Sequence, residues 1–81
     1  MADRKEIQER VVKIVSQILK ISPAEIKPES NFVFDLGAES VDSIALVSGF
    51  EKEFSIKMDE DSALEVTTVQ GAVDYIEKLV K

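Results

Sequence analysis

The sequence predicts an all-α fold: a small four-helix bundle, three longer helices plus one short helix, with a long first loop. Two observations carry that prediction. Apolar residues recur three and four positions apart over three separate stretches, whereas strand-like alternation is nowhere sustained. Helix-start signals stand ahead of these stretches, and residues 21 to 39 lack any such periodicity.

Taken in order, residues 4–20 place Ile7, Val11, Ile14, Val15, Ile18 and Leu19 on one side of an amphipathic helix. The SPAE step follows, where Ser22 suits an N-cap, Pro23 the first helical position and Glu25 the far end of a capping box. It predicts one short turn inside a connection that runs to about Glu39. A connection of that length in a small domain is functional or pinned by its own side chains. Ile26, Phe32, Val33 and Leu36 are the expected pins.

A second helix is predicted from about Ser40 to Phe54. At roughly 100° per residue, Leu46, Val47, Phe50 and Phe54 fall on one side and should face the core. Val41 and Ile44 fall outside that group, near Glu51, so they are expected to be at least partly exposed within an acidic rim. Gly49 sits mid-helix, where glycine costs about 1 kcal/mol relative to alanine; a close helix crossing and a plain surface position both account for it. DEDSALE reads as the short third helix. The last helix starts at TTV, with Thr67 or Thr68 as N-cap and Val69, Ala72, Val73, Ile76 and Leu79 along one face.

Eighty-one residues, 44% of them hydrophobic, suffice for one domain over 1–81 with a modest aliphatic core. The absence of cysteine excludes disulfides, a thiolate nucleophile and zinc fingers. The opening MADRKEIQER lacks the apolar core of a secretory signal, and no apolar run approaches membrane-spanning length. The expectation is a cytoplasmic monomer without membrane insertion. A net charge of −6 argues against nucleic acid as a partner. That charge is unevenly spread, since nine acids and two lysines lie between Asp35 and Glu65. Such a region is either a solubilising surface or a docking face for basic partners.

Within it stands DLGAESVD, with Ser40 at a helix start. As a nucleophile Ser40 would need a base, but the chain contains no histidine, and GAES is not the G-x-S-x-G elbow. Autonomous catalysis is therefore not expected. Ser40 can serve as a helix cap. It can also be modified by another enzyme, because a phosphate attached there would sit at the positive end of the helix dipole. MDEDSALEV lacks the glycine and late glutamate of a calcium loop, and no metal site is expected.

These residues resemble a known family. Over nearly its full length the chain is similar to the acyl carrier proteins of fatty-acid and polyketide synthesis. The likeness is carried by ISPAEIKPESNFVFDLG (residues 21–37), Ser40 with its flanks, the FEKEF run and TTVQGAVDYI. The resemblance implies a non-catalytic phosphoprotein in which Ser40 receives 4′-phosphopantetheine from coenzyme A, placed there by a phosphopantetheinyl transferase. The missing thiol would arrive on that arm, and acyl groups of fatty-acid, lipid or polyketide metabolism would travel on it as thioesters. It also implies that Asp35, Leu36, Glu39, Val41, Asp42, Ile44, Glu51 and Glu53 meet basic docking patches on acyl-loading and acyl-processing enzymes. Phe32, Val33, Phe50, Met58, Ala63, Val66, Ala72, Tyr75 and Ile76 match the family's acyl pocket, though each is described equally well as core.

The chain departs from the family pattern. Glu39-Ser40-Val41 stands where Asp-Ser-Leu is common, and Phe34, Ala45 and Lys52 occupy positions where typical fatty-acid carriers place acids. These departures suggest a specialised carrier with dedicated enzymes. Two alternatives stand beside it: a carrier of aminoacyl or other small acids with the same arm, and an unmodified carrier-like interaction subunit.

Overall fold

A computed structural model describes residues 3–80, apart from the side chains of Glu60 and Leu64. The expected elements are present: α1 (Arg4–Leu19), a 3-10 turn (Pro23–Glu25), α2 (Ser40–Phe54), the short α3 (Glu60–Leu64) and α4 (Val69–Val80). Among the described residues there is no strand, only an isolated bridge between Asn31 and Thr68. No helix among them is long and apolar enough to cross a membrane.

Helix α1 packs against both α2 and α4. Its stripe of Ile7, Val11, Ile14 and Val15 meets Leu46 and Phe50 of α2 and Val69, Ala72, Val73 and Ile76 of α4 in one buried cluster. Asp3 starts the helix by accepting the Glu6 N–H at 2.8 Å. The helix stops where Lys20 turns left-handed (φ 58°) and the Lys20 and Ile21 amides both donate to the Ser16 carbonyl.

The first loop is pinned at several points. The capping box forms as predicted: the Ser22 hydroxyl accepts the Ala24 N–H, and the Glu25 carboxylate accepts the Ser22 N–H, both at 3.3 Å. Ile26 and Phe32 are buried and Leu36 is half-buried. Val33 is not a pin, since 56% of it is exposed. The backbone turns tightly over residues 32–36, so with Phe32 committed inward its neighbour points outward. Beyond Phe32 the loop is stitched to the start of α4. Phe32 N–H donates to the Thr67 carbonyl (2.9 Å), Val69 N–H to Ser30 (3.1 Å) and Gln70 N–H to Pro28 (2.8 Å).

Thr68, rather than Thr67, caps α4, its hydroxyl accepting the Gly71 N–H at 3.1 Å. Leu79, expected on the buried face, is 40% exposed, and Val80 packs on the core instead. At about 100° per residue, Val80 falls within the arc of Val69, Val73 and Ile76, whereas Leu79 falls at its edge.

Beyond the buried cluster, α1 meets α2 at Arg10 and at Gly49. Arg10 bonds the Glu53 carboxylate at 2.8 Å and lies 5.1 Å from the centre of the Phe54 ring. At Gly49 the helices approach so closely that an added Cβ would sit 2.9 Å from Ile14 Cγ2 and 3.1 Å from Ile18 Cδ1. A close crossing thus accounts for this mid-helix glycine. Ile14 is buried and stiff at χ1, so it cannot swing aside cheaply. Overpacking of this kind costs about 1–3 kcal/mol, against roughly 1 kcal/mol gained in helix propensity. Gly49→Ala is therefore expected to lower the melting temperature by several degrees. The loss should shrink in an Ile14→Ala background, a double-mutant cycle read by circular dichroism. A higher melting temperature for Gly49→Ala alone would contradict the crossing.

Candidate functional site

Ser40 is the first residue of α2 and is exposed to solvent. Its position follows from the end of the first loop. Gly37 adopts φ 71°, a conformation that favours glycine, and reverses the chain. Ala38 is then buried, with its N–H on the Phe32 carbonyl at 2.7 Å. The Gly37-Ala38 approach, which two small residues make look flexible, is pinned by the burial of Ala38 and its bond to Phe32. Glu39 takes the N-cap position, and Asp42 reaches back to accept the Glu39 N–H at 2.9 Å. Ser40 is therefore not the cap; it stands one residue inside the helix.

Beside Ser40 opens a largely apolar cleft of about 660 Å³. Phe32 and Val33 of the loop, Ile44, Leu46, Val47 and Phe50 of α2, Met58 before α3, Ala63 of α3, Val66 between α3 and α4, and Ala72 of α4 line it, with Ser40, Ser43, Ser48, Glu51 and Thr67 as its polar members. Seven of the nine residues matched to an acyl pocket are among them. Tyr75 and Ile76 are not. Ile76 has no exposed surface and belongs to the buried cluster. The Tyr75 hydroxyl instead accepts the Asp59 N–H at 3.2 Å, tying the loop before α3 to α4. Ile44, Leu46, Val47, Ser43, Ser48 and Thr67 were missed as lining. The recurrence of small and apolar residues on the α2 side nearest Ser40 was the available signal, but helical periodicity assigns such positions to core or solvent, not to a cleft edge.

Val41 and Ile44 are 68% and 67% exposed, as the helix angle predicted. Phe34 is 88% exposed. Of the acids around them, Asp35 and Glu39 lie at the surface, while Asp42, Glu51 and Glu53 are half-buried. Most of these acids also hold the fold. Asp35 accepts the Asn31 N–H at 2.7 Å, Asp42 the Glu39 N–H, Glu51 the Met58 N–H at 2.9 Å, and Glu53 is paired with Arg10. A carboxylate has spare lone pairs after one such bond, so this internal work leaves its charge in place.

The arrangement is thus a small helix bundle with an exposed serine at a helix start, at the rim of an apolar cleft. Residues 9–76 match the family described as the phosphopantetheine attachment site, and the chain belongs to that family. Members attach a 4′-phosphopantetheine prosthetic group and interact with modifying transferases and partner enzymes.

Glu51 is the residue here whose structural role can be separated from its charge. Removing its carboxylate leaves a half-buried amide without its acceptor, at a cost of about 1–3 kcal/mol. Glu51→Ala is expected to lose stability on that scale and to speed hydrogen exchange at the Met58 amide. Glu51→Gln, which keeps an acceptor oxygen, should lose much less. Equal exchange rates in all three proteins would refute the bond.

Proposed function

We propose that this chain is an acyl carrier protein that performs no chemistry of its own, with Ser40 as the attachment point for 4′-phosphopantetheine. The single observation that best supports this reading is the placement of an exposed Ser40 at the rim of the apolar cleft. In loading, Ser40 Oγ would form a bond to the phosphorus next to pantetheine as the P–O bond of the coenzyme A diphosphate breaks, its electron pair leaving with adenosine 3′,5′-bisphosphate. The hydroxyl proton passes to a base on the transferase, in keeping with a chain that has no histidine. The group, once attached, supplies the thiol on which an acyl thioester forms. The residues present fit it: the serine is open to an incoming enzyme, and a phosphate there meets the positive end of α2.

The cleft favours an apolar cargo over an aminoacyl one. Its walls are mostly Phe, Ile, Leu, Val and Met side chains, and among the described residues its one ionisable lining residue, Glu51, is already bonded to the Met58 amide. Asp35, Glu39 and Asp42, with Val41 and Ile44, form the face we assign to partner enzymes with basic patches. Leu36, which the resemblance assigns to the same face, is half-buried and packs on the core. Charge steers the encounter and the small apolar contact permits release. The exposure of Ala45 and Lys52 supports a specialised carrier, because both positions lie on the surface a partner would meet.

Incubation with coenzyme A and a broad-range phosphopantetheinyl transferase should add one phosphopantetheine by intact mass, and Ser40→Ala should add none. Labelling that survives Ser40→Ala would defeat the assignment. Separately, Ala45→Glu with Lys52→Glu should raise the rate at which a fatty-acid synthase of the housekeeping kind uses the loaded carrier. An unchanged rate would count against specialisation.

A further inference from the structure

The exposed apolar surface around Ser40 has two halves, and only one lies on α2. Val41 and Ile44 form the helix half. The other lies on the first loop, where Val33 is 56% and Phe34 88% exposed. Val33, Ser40 and Ile44 line the same cleft, so the serine shares it with a residue of each half. We propose that Phe34, supported by Val33, is a docking anchor for enzymes that act at Ser40, seating in an apolar hollow bordered by Lys or Arg on the partner. This rests on the reading of Ser40 as the attachment site.

Three observations support it. The first is rigidity. The Asn31 side chain accepts both the Val33 N–H (2.9 Å) and the Phe34 N–H (3.0 Å), and the Asn31 carbonyl accepts the amides of Asp35 and Leu36. Asp35 closes the turn by accepting the Asn31 N–H. Phe34 is thus held outward on an ordered turn, and an anchor ordered in advance loses little conformational entropy on docking. The second is charge. Exposed Asp35 adjoins Phe34 in the chain and exposed Glu39 adjoins Ser40, so acids frame the apolar residues on both sides of the cleft. That frame complements a cationic border and repels a second copy of this chain, which would bring the same acids. The third is position. An enzyme that reaches Ser40 covers the cleft mouth, and Val33 is part of that mouth.

The test measures steady-state phosphopantetheinylation by a broad-range transferase, with carrier concentration varied, for wild type, Phe34→Ala, Phe34→Leu and Leu79→Ala. Leu79 is also an exposed apolar residue, but it lies on α4 outside the cleft lining. Phe34→Ala is expected to raise KM for the carrier about tenfold with kcat little changed, the scale of one lost anchor. Phe34→Leu should fall between it and wild type, and Leu79→Ala should match wild type. Circular dichroism confirms that each variant is folded. An unchanged KM for Phe34→Ala overturns the anchor while leaving Ser40 labelled and its assignment intact. Equal rises for Phe34→Ala and Leu79→Ala overturn it too, since loss of any exposed apolar side chain would then suffice. Sedimentation showing a wild-type dimer that Phe34→Ala dissolves would reassign the patch to self-association. A wild-type protein that takes no label removes the Ser40 reading, and the anchor with it.

Discussion

The structure depends on where the first three amides of α4 find their partners. A helix start leaves these donors without intrahelical acceptors, and Val69, fully buried, is out of reach of water. Val69 and Gln70 donate to the Ser30 and Pro28 carbonyls of the first loop, and Gly71 to the hydroxyl of Thr68, whose carbonyl accepts the first regular helix bond from Ala72. Two of the three acceptors therefore come from a segment remote in sequence. Each bond contributes only about 1 kcal/mol net, but an amide left unpaired at a buried helix start costs more than that. The loop is in effect the cap of α4. It exchanges conformational freedom for bonds that α4 would otherwise lack, and this keeps so long a connection ordered.

From that cap the order passes along the chain to Ser40. Phe32 donates its N–H to Thr67 and accepts the Ala38 N–H on its carbonyl, while its side chain is buried and also lines the cleft. One residue thereby links α4, the cleft and the entry to α2. Gly37 provides the left-handed turn that lets Ala38 reach the interior, and α2 begins two residues later. An exposed serine on a free loop would sample many orientations. Here two backbone bonds and two buried side chains restrict the segment that carries it, although the hydroxyl itself is open to solvent.

Much of this was legible in the sequence, and the reason is local. Helix periods, the SPAE capping box and the threonine start of α4 depend on neighbours within four residues, and all formed as predicted. The exposure of Val41 and Ile44 followed from helix geometry alone. What could not be read were choices settled by tertiary contacts. Val33 and Phe32 are adjacent apolar residues in an irregular turn, and nothing in their order says which goes inward. Gly49 was open between crossing and surface until Ile14 proved to lie against it. Tyr75 has the pattern of a core residue, but its hydroxyl holds the Asp59 amide, a partner sixteen positions away. Glu51 and Glu53 looked like free surface charge, and the Met58 amide and Arg10 that engage them lie in other parts of the chain.

That double use of acids bears on how the proposed carrier would meet its partners. Steering depends on the summed field of the face, not on any one carboxylate being unbonded. Asp35 and Asp42 can hold the turn and the start of α2 and still contribute that field. Glu53 contributes less, because Arg10 beside it cancels much of its charge at a distance. Lys52, exposed on the same helix, subtracts further. The negative field along the end of α2 is therefore weaker than a count of acids suggests, and strongest near Asp35, Glu39 and Asp42. Three acids and the exposed Val41 and Ile44 stand within five residues of Ser40 in the chain. For the proposed carrier, recognition would then be weighted toward the start of α2 and the turn before it.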